Sequence, residues 1–203
     1  MKYAFKHGVF VRTAIWPEHY PRLLDESGRP LPEVAFAGRS NVGKSSLINH
    51  LLHQRNLAKA SATPGKTQAI NFFSVDDVLG LVDLPGYGFA QVPDKIKEQW
   101  GPMVQSYLNN RETLKLVLTL IDMRRLPDEL DFQLMDWIIS SGKAAILVLT
   151  KADKLTAREQ KRQIEKILQA YGLKDLHHVA YSSTKNIGQR QLVGMINSAL
   201  ETP

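Results

Sequence analysis

A short apolar run, a glycine-bracketed turn and a helix-spaced run follow one another in "EVAFAGRSNVGKSSLINHLL" (33–52). The turn "GRSNVGKSS" (38–46) fits G-x-x-x-x-G-K-[ST] and stands where that pattern has meaning, after a strand and at the mouth of a helix. Its glycines let the backbone wrap phosphate oxygens, and the amides of 41–46 can point inward. The helix N-terminus adds positive potential. The expected cradle is Gly38, Arg39, Ser40, Asn41, Val42, Gly43, Lys44 and Ser45. Lys44 bridges the outer phosphates and stabilises charge in phosphoryl transfer, and the Ser45 hydroxyl reaches Mg²⁺.

The remaining chain agrees with that start. Apolar runs read as strands at 68–75, 78–84, 114–122, 144–150 and 177–183, with "DD" turning the first pair into a hairpin. Helical spacing appears at 94–108, where a glycine-proline pair interrupts it, and at 128–141, 156–172 and 188–201. In 128–141 the buried side is read as Leu130, Leu134, Trp137, Ile138 and Ile139. The helix 156–172 carries a capping threonine, a glutamate three residues on and a terminal glycine. Strands without polar gaps, alternating with amphipathic helices, predict an α/β fold: a mostly parallel six-stranded sheet covered on both faces, with one antiparallel edge strand. Residues 1–32, rich in proline and turn residues, read as an irregular arm packed on or extending from a nucleotide-binding domain over 33–203.

In such sheets ligands bind at the carboxyl ends of the strands, and four strands end there in polar motifs. "TKAD" supplies Thr150, Lys151, Ala152 and Asp153. The Asp153 carboxylate can accept two hydrogen bonds from guanine N1–H and N2–H₂, a pair that adenine does not offer. The Lys151 stem can cover a face of the base. Tyr181, Ser182 and Ser183 of "YSST" sit one strand–helix unit later and can support the guanine oxygen and Asp153. "TPGKT" (63–67) precedes the next strand, and Gly65, Lys66, Thr67, Gln68 and Ala69 are read as nucleotide contacts. Thr67 is the expected second Mg²⁺ ligand, with Thr63 its rival further from the strand. In "DLPG", Asp83 holds the Mg²⁺ water shell, Leu84 and Pro85 turn the chain, and the Gly86 amide donates to the γ-phosphate. Tyr87 follows Gly86 where a glutamine could have oriented water, so unaided hydrolysis is expected to be slow.

Composition narrows the class without naming it. The chain has 203 residues, 43% hydrophobic and 23% charged, which suits a packed domain. It has no cysteine, so disulfides, thiolate metal sites and a cysteine nucleophile are excluded. The first residues carry Lys2, Lys6 and Arg12 among their apolar positions, unlike a signal peptide. "AAILVL" is far too short to span a bilayer, so a cytoplasmic chain with no membrane partner is expected. The net charge of +6 suits either a lysine-rich surface or a polyanionic partner. Arg124 and Arg125 are candidates for partner contact or for a solvated loop, and Trp100 reads as packing.

The stretches "PEVAFAGRSNVGKSSLIN", "TPGKTQAINFF", "VDLPGYGFA", "LTKADK" and "SSTKNIG" together resemble the EngB/YihA/YsxC family of bacterial GTPases, from about Pro32 to the last helix. The resemblance implies a Ras-like fold, GTP and GDP as ligands, Mg²⁺, and GTP hydrolysis by a monomer. It further implies a role in assembling the large ribosomal subunit or its precursor, and in normal cell division including septation. Asn41 matches the position at which some GTPases hold a K⁺ in place of an arginine finger, against simple hydrogen bonding within the loop. Two other readings stand beside this one. The first is a ribosome- or RNA-binding module whose nucleotide only sets its shape. The second is an ATPase or small-molecule kinase in which "TKAD" is accidental.

Overall fold

The computed structural model describes residues 3–58, 69–88, 94–173 and 175–201. Among them the chain runs β1 (Gly8–Ala14), β2 (Glu33–Gly38), α1 (Lys44–Leu51), β3 (Ile70–Val75), β4 (Leu79–Asp83), α2 (Asp94–Asn110), β5 (Leu114–Asp122), α3 (Glu129–Ser140), β6 (Ala144–Thr150), α4 (Ala157–Tyr171), β7 (His178–Ala180) and α5 (Gln189–Glu201). The strands form one sheet in the order β1-β3-β4-β2-β5-β6-β7. Strand β2 lies between β4 and β5, parallel to both, and β5, β6 and β7 continue the parallel set.

The sheet has seven strands rather than the six expected from the sequence, because Gly8–Ala14 pairs with β3 instead of trailing as irregular chain. Strand β3 is antiparallel to both of its neighbours, β1 and β4. The strand that runs against the rest therefore lies one place in from the edge. Strand β1 hides from pattern analysis because only its end residues, Gly8 and Ala14, are buried. Its register slips between Phe10 and Arg12, leaving Val11 as a bulge.

Period-two alternation explains the uninterrupted apolar strands. Val34 and Phe36 face the side covered by α1 and α5, where Leu47, Ile48, Leu192 and Ile196 pack. Ala35 and Ala37 face the other side, with Val104 and Tyr107 of α2 and Leu134 and Ile138 of α3. Helix α4 covers Ile121, Leu147 and Leu149 through Ile167. Its predicted ends are present: Thr156 and Glu159 form a capping box, and Gly172 closes the helix in the left-handed region at φ 65°.

Two local expectations change. Helix α2 continues through Gly101 and Pro102 rather than breaking there. Its packing on α3 outweighs the missing proline amide, and a Cβ on Gly101 would stand 3.2 Å from the Trp137 ring. On α3, Ile139 is 53% exposed, and the buried residues are Asp131, Leu134, Met135 and Ile138. The last strand is also shorter than the predicted 177–183.

One buried ionic cluster stitches the sheet to the N-terminal segment. Glu33, at the start of β2, is fully buried. Its carboxylate accepts from the Tyr107 hydroxyl at 2.7 Å and from Arg111 at 2.9 Å (Nε) and 2.5 Å (Nη2). Arg111 also donates to the Pro21 carbonyl at 2.7 Å. Removing one member strands a buried charge. Arg111→Ala is therefore expected to lower the unfolding free energy in urea by about 3–5 kcal/mol, and Tyr107→Phe by less.

Candidate functional site

The phosphate loop begins where β2 leaves the sheet. Asn41 takes the left-handed conformation at φ 61°, and Gly43 caps α1 at φ 112°. Lys44 opens α1, and its Nζ lies 3.5 Å from the Gly38 carbonyl, curled back over the loop. Burial lowers the pKa of this ammonium, and the nearby Asp83 carboxylate opposes the shift. Asp83 ends β4. Burial raises its pKa, while Lys44 and a hydrogen bond from Asn71 pull it down. Its Oδ1 has no hydrogen-bond partner among the described residues. A buried, unpartnered carboxylate oxygen beside a phosphate-type loop suits a cation or its water shell. With the Ser45 hydroxyl at the start of α1, this donor set fits Mg²⁺.

The "DLPG" loop continues the β2–β4 ladder into the phosphate loop. Leu84 N–H donates to Phe36 O at 3.0 Å, and Ser40 N–H donates to Tyr87 O at 2.9 Å. A Cβ at Gly86 would stand 3.0 Å from the Lys44 ammonium and Ser40 Oγ and 3.1 Å from Ser40 Cα, so any side chain there would push the two loops apart. Tyr87 turns toward α2 and α3. It is buried, its ring lies 4.9 Å from that of Trp100, and its hydroxyl donates to Asp131 Oδ1 at 2.6 Å. Burial, reinforced by the Asp131 carboxylate, pushes the phenol far above its ordinary pKa, so it stays a donor. This contact accounts for a tyrosine after Gly86: the side chain anchors the loop to α3.

At the far end of the sheet, "TKAD" and "YSST" form one hydrogen-bonded corner. Thr150 Oγ1 lies 2.8 Å from Val42 O and 3.1 Å from Ile121 O, tying the β6 end to the phosphate loop. Lys151, at φ 60°, places Nζ 3.1 Å from Asn41 O and 2.9 Å from Asp122. Ala152 N–H donates to Tyr181 O at 3.1 Å. Asp153 Oδ1 accepts from Ser182 Oγ at 2.7 Å, which lowers the carboxyl pKa and holds the group as an acceptor. Ser182 also exchanges both backbone hydrogen bonds with Ile187, closing the loop on itself, and Ser183 sits half-buried beside it. Tyr181 lends only its backbone here, because its hydroxyl lies 2.6 Å from His50 Nδ1.

The structure thus brings Gly38–Ser45, Asp83–Gly86, Thr150–Asp153 and Tyr181–Ser183 to one end of the sheet. Gly65, Lys66, Thr67, Gln68 and the rival Thr63 lie outside the described residues, and Ala69 stands just before β3. Arg124 is half exposed and paired with Asp122 at 2.7 Å. Arg125, read as a candidate for partner contact, turns inward onto Asp131 at 2.5 Å. Sequence reasoning also passed over Asn71, whose Oδ1 accepts from Thr13 Oγ1 at 2.7 Å while its side chain holds Asp83. Asp128, ion-paired with Arg39, was missed too. Both asparagine and aspartate look like ordinary turn residues until the sheet order is known.

A phosphate-type loop, a buried strand-end aspartate and an aspartate–serine corner on one Ras-like sheet are the parts of a P-loop GTPase domain. The family model for the 50S ribosome-binding GTPase matches residues 33–151. The probable GTP-binding protein EngB of Protochlamydia amoebophila (strain UWE25) is 53% identical over 191 residues, covering 94% of this chain and 93% of that one. Its counterpart from Syntrophus aciditrophicus (strain SB) is 45% identical over 190 residues, with 94% and 93% covered. The chain belongs to the EngB family of GTP-binding proteins, a family of GTPases that generally use Mg²⁺. Among solved structures, a probable GTP-binding protein engB superposes with a TM-score of 0.72 at 20% identity, covering 84% of this chain and all of that one. Era in complex with MgGDPNP and nucleotides of 16S ribosomal RNA superposes at 0.61 with 24% identity, over 82% of this chain and 55% of that one. At these identities the two structures speak for the fold. Among the described residues no helix is long and apolar enough to cross a membrane.

The Asp153 corner generates a direct prediction. If Asp153 reads guanine as the sequence predicts, an amide at this position would lose the acceptor pair for N1–H and N2–H₂ and gain a donor for the C2 oxygen of xanthine. Two charge-assisted hydrogen bonds contribute about 1.5–3 kcal/mol each. Asp153→Asn is therefore expected to weaken GDP binding by about a hundredfold or more and to favour xanthosine diphosphate, measured by competition against a fluorescent nucleotide.

Proposed function

We propose that this chain is a GTP-driven switch that docks on the large ribosomal subunit or its precursor and leaves after hydrolysis. It acts as a monomer in the cytoplasm, in support of subunit assembly and normal cell division, septation included. The observation that carries the reading is the packing of Gly86 against Lys44 and Ser40. There a γ-phosphate reaching Lys44 also meets the Gly86 N–H, so the "DLPG" loop senses whether that phosphate is present. The basic net charge and the ribosome-binding description of the family model support the partner.

In the proposed mechanism the amides of 41–46 and Lys44 hold the phosphates, and Asp153, supported by Ser182, reads guanine. Ser45, Thr67 and, through water, Asp83 would hold Mg²⁺, which would supply positive charge against the phosphates. Water adds to the γ-phosphorus as the bond to the bridging oxygen breaks, giving GDP and phosphate. The groups set against the developing charge are Lys44 and the Gly86 amide. Tyr87 is committed to Asp131, so no side chain at that position orients the water, and unaided turnover is expected to be slow. Asn41 is exposed, and its side-chain amide makes no hydrogen bond among the described residues, which suits a K⁺ ligand.

The binding test uses purified large-subunit particles with GDP, a non-hydrolysable GTP analogue or no nucleotide. Co-sedimentation is expected to be at least about tenfold stronger with the analogue, and equal binding in all three states would sink the switch. Steady-state hydrolysis is expected to run faster in KCl than in NaCl at equal ionic strength, and to lose that difference in Asn41→Ala. Equal rates in both salts, with and without particles, would remove K⁺ from the mechanism.

A further inference from the structure

The two residues flanking Gly86 are tied to different helices. The Pro85 carbonyl accepts from Trp100 Nε1 on α2 at 2.9 Å. The Tyr87 hydroxyl donates to Asp131 on α3 at 2.6 Å. Asp131 is fully buried, and its orientation is fixed from three sides. Arg125 donates to Oδ2 at 2.5 Å and to Oδ1 at 2.9 Å, and the Asp128 N–H donates to Oδ2 at 2.9 Å as half of the α3 capping box. Asp128 in turn holds Arg39 of the phosphate loop. The Arg39 guanidinium lies 2.7–2.9 Å from where a Cβ on Gly88 would stand, and Gly88 itself sits at φ 69°. The loop is therefore gripped on both sides of Gly86.

We propose that Asp131 is a positioning residue for the GTPase reaction: through the Tyr87 hydroxyl it sets the direction of the Gly86 N–H and couples the γ-phosphate to helices α2 and α3. A cap residue at the start of α3 could have served helix stability alone. Here its carboxylate also receives a phenol from the loop that faces the phosphate loop. That second bond gives α3 a mechanical link to the site. Trp100, which touches both Pro85 and Tyr87 and lies 5.5 Å from Trp137, is placed to report the link. The inference rests on the proposed meeting of Gly86 with a γ-phosphate.

The test compares Tyr87→Phe and Asp131→Asn with the parent chain, all carrying Trp16→Phe so that emission comes from the Trp100–Trp137 stack. Affinity for GDP, affinity for a non-hydrolysable GTP analogue, hydrolysis kinetics and tryptophan emission with each nucleotide are measured. GDP affinity is expected to stay within about twofold. The analogue is expected to bind about tenfold more weakly, kcat to fall, and the emission difference between the two nucleotide states to disappear. Tyr87→Phe removes a single hydroxyl and decides the question by itself where Asp131→Asn does not fold. A folded Tyr87→Phe chain with the parent's affinity ratio, kcat and emission difference overturns the proposal. Should the parent itself bind GDP and the analogue alike with identical emission, the sensing role of Gly86 is what has failed, and the inference goes with it.

Discussion

A half-buried lysine ammonium and a buried aspartate carboxylate face each other where α1 begins and β4 ends, and the rest of the site is arranged around that fact. Burial disfavours the charged form of each, and each partly rescues the other. Neither is neutralised by a direct ion pair among the described residues. On the proposed reading, a polyphosphate would complete the lysine's environment and a hydrated divalent cation the aspartate's. On that reading, phosphate and metal binding would offset a desolvation cost already present in the folded chain. A side chain at Gly86 would press on the same ammonium.

The two ends of the site differ in how they are held. At the base end, short hydrogen bonds join Thr150, Ala152, Asp153, Tyr181, Ser182 and Ile187 into a loop pair with little freedom. At the phosphate end the backbone of 84–88 is held by a few contacts that radiate to other elements: Phe36, Ser40, Trp100 and Asp131. Recognition of a base calls for fixed acceptors, whereas sensing a phosphate calls for a backbone that can be displaced as a unit. On the proposed reading, this chain places rigidity and compliance accordingly.

Much of this architecture is legible in the sequence because strands buried on both faces leave long apolar runs, as in "LKLVLTLID", and because caps such as Thr156 and Glu159 act locally. The phosphate loop is legible because its chemistry demands glycine and lysine at fixed spacing. The misses have a common cause. Strand β1 buries only its ends, so it carries no face-to-face contrast. Asp131, Arg125, Asn71 and Asp128 act through partners distant in the chain, and their residue types are those of ordinary surface turns. Helical spacing assigns Ile139 to the core, yet it lies just beyond the stripe that α3 buries. Helix α2 tolerates Pro102 because of a crossing with α3 that no local pattern encodes.

The bulge at Val11 has a consequence for how the molecule behaves at high concentration. An outermost strand presents a row of unpaired amides and carbonyls, and Val9, Phe10 and Val11 add exposed apolar side chains to it. Such an edge invites another chain to add itself as an extra strand. The extra residue breaks the regular spacing of that row halfway along and twists the strand, while the neighbouring Arg12 contributes a charge. The irregularity that conceals β1 in the sequence therefore also protects the finished sheet from growing by edge-to-edge association.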